Sequence, residues 1–179
     1  MAYQYQEDFL YFITYKTYHS LDFFQSDRNK EILEQQILYA GKKYSIDIIA
    51  YAILSNHYHL LINVQDSNVS RNKFIQIING GSSFRIDKSI NTEHVWERAN
   101  KYNSWLKDEN SMFRVIGYIC GNPLKHRLVK NFKELSKYEY CNYNDVCKIY
   151  NKELVNNLIL ENCALDFETM DVFETGKKE

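Results

Sequence analysis

Two imidazoles one residue apart, followed fifty-nine positions after the second by a phenol and an amide four residues apart, are the groups in this chain whose spacing could do chemistry. The histidines stand in Ile53-Leu54-Ser55-Asn56-His57-Tyr58-His59-Leu60-Leu61-Ile62, and the second pair in Tyr118-Ile119-Cys120-Gly121-Asn122-Pro123. Alternate residues of a strand project from one face, so His57 and His59 can both turn a ring nitrogen toward one divalent cation. Residues i and i+4 of a helix stack on one face, which brings Tyr118 and Asn122 together. Two imidazoles, an amide and a tyrosine hydroxyl are the parts of a phosphodiester-cleaving site.

The elements that must position them follow from the hydrophobic pattern. Residues 9–17 are dense in aromatic and β-branched side chains and read as a first strand. Residues 26–44 carry Ile32, Leu33, Gln36, Ile37 and Ala40 at helical spacing after a Ser26-Asp27 start signal. Residues 47–54 and 57–64 are apolar runs divided by the turn pair Ser55-Asn56, which suits a hairpin and sets both histidines at the start of the third strand. Residues 69–86 read as a second helix with Phe74, Ile77 and Ile78 as its stripe and with Gly80-Gly81-Ser82-Ser83 as a candidate break. A short strand around His94-Val95-Trp96 and another over 101–106 come next. A third helix over 108–121 shows Met112, Val115, Ile116 and Ile119 at i, i+3, i+4 and i+7. Pro123, the one proline in the chain, is expected to stop that helix with Asn122 at its boundary. The resulting order of strand, helix, strand, strand, helix, strand describes an α+β fold, a ferredoxin-like sandwich with an antiparallel sheet and an added helix carrying the tyrosine.

At 179 residues the chain suits a single domain. Residues 1–150 are assigned to it and residues 151–179 to an acidic C-terminal helix or tail. No apolar run approaches the ~20 residues of a membrane span, and the first eight residues lack the features of a secretory signal, so a cytoplasmic protein without membrane association is expected. Cys120, Cys141, Cys147 and Cys163 show no C-x-x-C spacing and are expected as free thiols. The net charge of −1 hides an asymmetry: residues 98–133 hold eight Lys or Arg against two acids, net +6, while residues 152–179 hold three lysines against seven acids, net −4. Either stretch could be ordinary solvated surface, but the basic one surrounds Tyr118. A basic stretch of this kind suits a nucleic-acid partner, with which the acidic tail is expected to compete for the basic groove.

Each signal has a plainer reading. An H-x-H pair also occurs as half-buried strand residues bonded to backbone or water. A structural zinc site would want four closely placed ligands; only two are near, and the spacings of His19, His94 and His126 single none of them out. A tyrosine on a helix surface is usually a packing residue. Tyr118, however, lies about 120° from the centre of the apolar stripe, which leaves it uncommitted to that face and able to turn toward a site. Gly117 and Gly121 beside it each cost roughly 1 kcal/mol of helix propensity relative to Ala, which makes sense where backbone or ligand approaches closely.

The chain resembles the HUH single-tyrosine transposases, in particular the REP-associated tyrosine transposases. The likeness runs over roughly residues 8–143 and is carried by Phe12-Ile13-Thr14, by the apolar lead into Asn56-His57-Tyr58-His59-Leu60-Leu61-Ile62, and by Val95-Trp96-Glu97. Tyr118-Ile119 with Asn122-Pro123 and the following Lys125-His126-Arg127-Leu128-Val129 are its most telling part. Departures are Ser55 in place of a proline, Tyr58 in place of a plainer hydrophobe, and Tyr140-Cys141-Asn142 in place of a serine-rich turn.

The resemblance implies that His57 and His59 bind Mg²⁺ or Mn²⁺ with Asn122 completing the protein ligands, and that Tyr118 attacks the phosphorus to form a 5′-phosphotyrosine. Lys125 or Arg114 could assist the phenol. The function implied is metal-dependent cleavage and strand transfer of single-stranded, hairpin-containing DNA by a monomer or homodimer, with a non-catalytic nucleic-acid-binding descendant as the alternative. Arg98, Lys101, Arg114, Lys125, Arg127 and Lys130 are the expected phosphate contacts, and Tyr102, Trp105 and Phe132 the stacking candidates, with core filling as the competing role for the last two. A metal-dependent hydrolase of small substrates would leave the basic stretch without a purpose.

Overall fold

A computed structural model describes residues 10–64, 71–86, 94–98, 102–106 and 108–163. Among these residues four strands form one sheet in the order β2-β3-β1-β4, every neighbouring pair antiparallel. The strands are β1 (Leu10–Lys16), β2 (Ile46–Ile53), β3 (His57–Val64) and β4 (Tyr102–Trp105). Helices α1 (Asp27–Tyr44) and α2 (Arg71–Arg85) complete the ferredoxin-like sandwich. They are followed by α3 (Glu109–Lys125), α4 (Phe132–Leu135), α5 (Tyr143–Tyr150) and α6 (Lys152–Asn162).

β3 is buried at all eight positions, as a strand covered on both faces must be. Tyr58, Leu60 and Ile62 point to one side with Ile13, Tyr51 and Ile53, where Leu33, Ile37 and Ala40 of α1 and Phe74 and Ile78 of α2 close the first core. Leu61 points to the other side with Phe12, Ala50 and Ala52, and there Met112, Val115, Ile116 and Ile119 of α3, Val146 of α5 and Val155 and Ile159 of α6 close the second. A bulge between Ile48 and Ala50 lets β2 serve both cores. Residues 138–142 cover the free edge of β2. The Ile53 N–H donates to Tyr140 O at 2.9 Å, the Tyr51 N–H to Asn142 Oδ1 at 2.8 Å, and the Tyr138 hydroxyl to Ile53 O at 2.8 Å.

Three expectations from the local pattern are corrected. The glycine and serine run does not interrupt α2, because a Cβ at Gly81 would meet the Gln36 side chain of α1: the glycine permits that close approach. Ser82 also returns its hydroxyl to Ile78 O at 2.7 Å. The strand expected around residues 94–96 is a single bridge between Thr17 and Trp96. Trp96 instead buries its indole, stacked on Phe24 at 5.0 Å and donating Nε1–H to Asn79 O and Ser82 Oγ, both at 3.1 Å. Pro123 does not end α3, which continues to Lys125. Proline removes only the donor that Ile119 O would have received, and the helix resumes with the His126 N–H bonded to Asn122 O at 2.9 Å.

Candidate active site

His57 and His59 share the face of β3 that looks toward α3, with 4.9 Å between ring centroids. Their partners across β1 are Lys16 and Thr14. Phe12 stacks on the His59 ring at 5.8 Å and 23°, which fixes its plane. The Thr14 hydroxyl lies 2.7 Å from His59 Nδ1. Asn56 Oδ1 lies 2.7 Å from His57 Nδ1. Because Asn56 Nδ2 is committed to Ser20 O at 3.1 Å, its carbonyl oxygen faces the ring. His57 must therefore donate from Nδ1 and keep its lone pair on Nε2.

Burial pushes the His57 pKa down to about 3, with the nearby His126, Lys16 and Lys125 adding to the effect. Burial likewise lowers His59 well below its ordinary value, with His57, His126 and Lys125 contributing and Asn122 opposing. Both rings are thus neutral at physiological pH, the form in which imidazole ligates a metal.

Asn122 lies one turn beyond Tyr118, fully buried, with Nδ2–H donated to Tyr118 O at 2.8 Å. That bond aims Oδ1 away from the helix. Asn122 Oδ1 and His59 Nε2 are both buried without a hydrogen-bond partner; Asn122 is close enough to favour a charged His59, yet no well-formed hydrogen bond joins the two atoms. Two orphaned lone-pair atoms in one buried place are costly unless something binds them. Two neutral imidazoles and an amide oxygen fit a divalent cation of the Mg²⁺ or Mn²⁺ kind. Among the described residues no group of three or more His, Cys, Asp or Glu side chains is placed to hold a metal ion, so no structural zinc cluster forms there.

The Tyr118 ring stands edge-on to His59 at 5.1 Å and to Phe12 at 5.9 Å. Lys125 Nζ lies 4.9 Å from its centroid. Tyr118 is only 2% exposed, and this corrects the expectation that it stands off the helix's packing surface. From Val115 to Pro123 every residue of α3 is buried, because the helix is covered by the sheet on one side and by α6 on the other. A Cβ at Gly117 would meet the Leu158 carbonyl, and one at Gly121 would meet Cys163. The two glycines serve a backbone approach by α6, whose packing no periodicity argument on α3 alone could anticipate.

Of the two cations expected to assist the phenol, Lys125 is the one drawn against it; Arg114 is exposed on α3. His126, at the C-terminal cap of α3, brings its ring to 4.9 Å from His57. Sequence reasoning had no spacing by which to select it, since its neighbour lies in a different element. Arg98, Arg127 and Lys130 are exposed. Arg127 adopts a left-handed backbone, φ 57°. Trp105 and Phe132 are half-buried, the latter packed on the second core. Lys101 lies outside the described residues, as does the side chain of Tyr102. The four cysteines are free. No helix among the described residues is long and apolar enough to cross a membrane.

A sheet of this topology with an imidazole pair facing a tyrosine helix defines a class that can be compared with known proteins. The profile of the family described as "Transposase IS200 like" matches residues 9–122. The chain belongs to the IS200-like transposase family. Its fold is that of a REP-associated tyrosine transposase solved bound to a REP hairpin, with a TM-score of 0.62 and 14% identity over 93% of this chain and 91% of that one. A candidate transposase from Deinococcus radiodurans R1 is also similar, at 14% identity over 66% of this chain and 94% of that one, with a TM-score of 0.46. No curated protein matches the sequence.

Proposed function

We propose that the protein cuts and rejoins single-stranded DNA with Tyr118 as nucleophile. The observation that carries this reading is the contact of the Tyr118 ring with His59, beside the orphaned His59 Nε2 and Asn122 Oδ1. His57, His59 and Asn122 would hold the divalent cation, Mg²⁺ or Mn²⁺. When bound, it supplies charge neutralisation at a non-bridging phosphate oxygen.

The chain's own groups do the rest. Thr14 and Asn56 orient the imidazoles. The Tyr118 oxygen attacks phosphorus in line as it loses its phenol proton, the bond from phosphorus to the 3′ oxygen breaks, and that oxygen takes up a proton and leaves as a 3′-hydroxyl, so that one proton passes by way of water from the phenol to the leaving group. A phenol loses its proton near ~10, so the Lys125 ammonium above the ring stabilises the phenolate that must form. The step leaves a 5′-phosphotyrosine. Attack on it by another 3′-hydroxyl restores the phosphodiester and frees Tyr118, so strands are joined without ATP. Contact between Tyr118 and His59 of one chain supports action in cis. Exposed Arg98, Arg114, Lys125, Arg127 and Lys130 line up with a role in holding phosphate. The likeness to a hairpin-bound transposase supports a hairpin-containing single strand as substrate.

The test is incubation of wild type and Tyr118→Phe with labelled single-stranded hairpin DNA and Mn²⁺, followed by denaturation. A covalent adduct in the wild type and none in the variant is expected. An adduct that survives Tyr118→Phe would overturn the assignment. The burial of Tyr118 favours a second reading, a DNA-binding descendant without chemistry, which salt-sensitive binding with no adduct from the wild type would support.

A further inference from the structure

The connection leaving β1 gathers a tyrosine, two imidazoles and a guanidinium at the same end of the sheet as His57. Lys16 is the β1 residue opposite His57, and Tyr18 follows two residues later, so at most about 7 Å of extended chain separates them. Tyr18 meets His19 at 4.0 Å and His94 at 5.8 Å between ring centroids. Arg98 Nη2 lies 3.1 Å from His94 Nε2. A guanidinium only donates, so Nε2 accepts and the neutral ring carries its proton on Nδ1. His19 and Arg98 are exposed, and Tyr18 and His94 are half-buried.

The backbone here is unusual. His19 (φ 50°) and Ser20 (φ 56°) are consecutive non-glycine residues in the left-handed region, which L side chains adopt rarely and singly. Four hydrogen bonds hold them there. Tyr18 N–H donates to Val95 O at 2.9 Å, His19 N–H to Glu97 Oε1 at 2.8 Å, Ser20 N–H to Thr17 O at 3.0 Å, and Asn56 Nδ2–H to Ser20 O at 3.1 Å. The same Asn56 accepts from His57 Nδ1–H, so a relay of two hydrogen bonds joins this loop to the histidine pair. Strain held in place by its surroundings is characteristic of functional loops, and rigid rings at the surface are what an unpaired base stacks on.

We propose that Tyr18, His19, His94 and Arg98 form a subsite for an unpaired nucleobase of the strand being cut, one or two nucleotides from the scissile phosphate. The inference rests on the reading of the protein as a single-strand DNA transferase. Every base has a π face for the rings to engage, and Arg98 supplies a cation for the adjoining phosphate.

The test measures binding in a Tyr118→Phe background, so that chemistry does not intrude. The probes are a fluorescein-labelled DNA hairpin with single-stranded thymidine flanks and the same stem as a blunt duplex. Tyr18→Ala is expected to weaken binding of the flanked hairpin about tenfold or more, with duplex binding unchanged. Tyr18→Trp is expected to restore it. His19→Gly, which removes a ring while relieving the backbone, should show the same selectivity and serves if Tyr18→Ala fails to fold. Equal weakening on both probes, no change on either, or a protein that binds neither probe overturns the inference. Adduct formation is scored separately with Tyr118 intact. An adduct together with flank binding indifferent to Tyr18 sinks this inference alone; selective loss of flank binding with no adduct sinks the catalytic reading alone.

Discussion

The ring of Tyr118 lies edge-on to the imidazole of His59, 5.1 Å between centroids, although 59 residues separate them in sequence. Three supports make the contact: Phe12 touches both rings, Thr14 holds the far nitrogen of His59, and Asn122 holds the Tyr118 carbonyl. Each can be removed by one substitution.

Asn122→Leu replaces a buried, unpartnered carbonyl with an apolar group of similar size. Stability without metal should stay level or rise by up to about 1 kcal/mol, because an orphaned acceptor disappears while one side-chain bond to the backbone is lost. Mn²⁺ affinity should fall about tenfold or more. Urea melts in chelator and titration calorimetry measure the two effects. Unchanged Mn²⁺ affinity would remove Asn122 from the proposed ligand set.

Thr14→Val keeps the shape of the side chain and deletes the hydroxyl 2.7 Å from His59 Nδ1. The ring then loses the partner that sets its tautomer. Mn²⁺ affinity should drop about 10- to 100-fold with the fold intact, read by calorimetry alongside circular dichroism.

Two glycines make a matched pair. At Gly117 a Cβ meets the Leu158 backbone carbonyl, which cannot swing aside, so Gly117→Ala should destabilise by about 1–3 kcal/mol as α6 is forced off α3. At Gly80 nothing lies within 4 Å of a Cβ, so Gly80→Ala should stabilise by about 0.5–1 kcal/mol through helix propensity alone. Chemical denaturation of the two variants checks both signs.

The pH dependence follows from His57, whose pKa falls from 6.5 unfolded to about 3 in the fold. Between those values the unfolded chain binds a proton that the folded chain does not. The associated stability is therefore complete above about pH 6.5 and is lost as pH falls toward 3, by at most about 1.4 kcal/mol per pH unit. The lowered pKa of His59 acts in the same direction. Melts in chelator between neutral pH and about pH 4 should show the loss, and His57→Gln should flatten it. An acid limb as steep in the variant as in the wild type would refute the assignment.

Much of this was legible in the chain itself because it depends on neighbours in sequence. Alternation in a strand fixes that His57 and His59 share a face, and helical spacing fixes that Asn122 stands one turn above Tyr118. The apolar runs, the Ser55-Asn56 turn and the Ser26 cap define β1, α1, β2 and β3 to within a residue or two, and their order defines the sandwich. Local rules misread three places. A glycine in α2 and a tryptophan between elements followed a tertiary contact instead of their propensity, and the proline in α3 cost the helix one hydrogen bond without ending it.

What only the tertiary structure decided is which distant groups meet. The approach of His126 to His57 depends on α3 packing against the sheet, and the burial of Tyr118 and the use of Gly117 and Gly121 depend on α3 lying between the sheet and α6. Apolar residues at helical spacing mark one buried face per helix. A helix buried on two sides carries a second constraint whose partner lies about forty residues away in sequence, and only the folded chain brings that partner into contact.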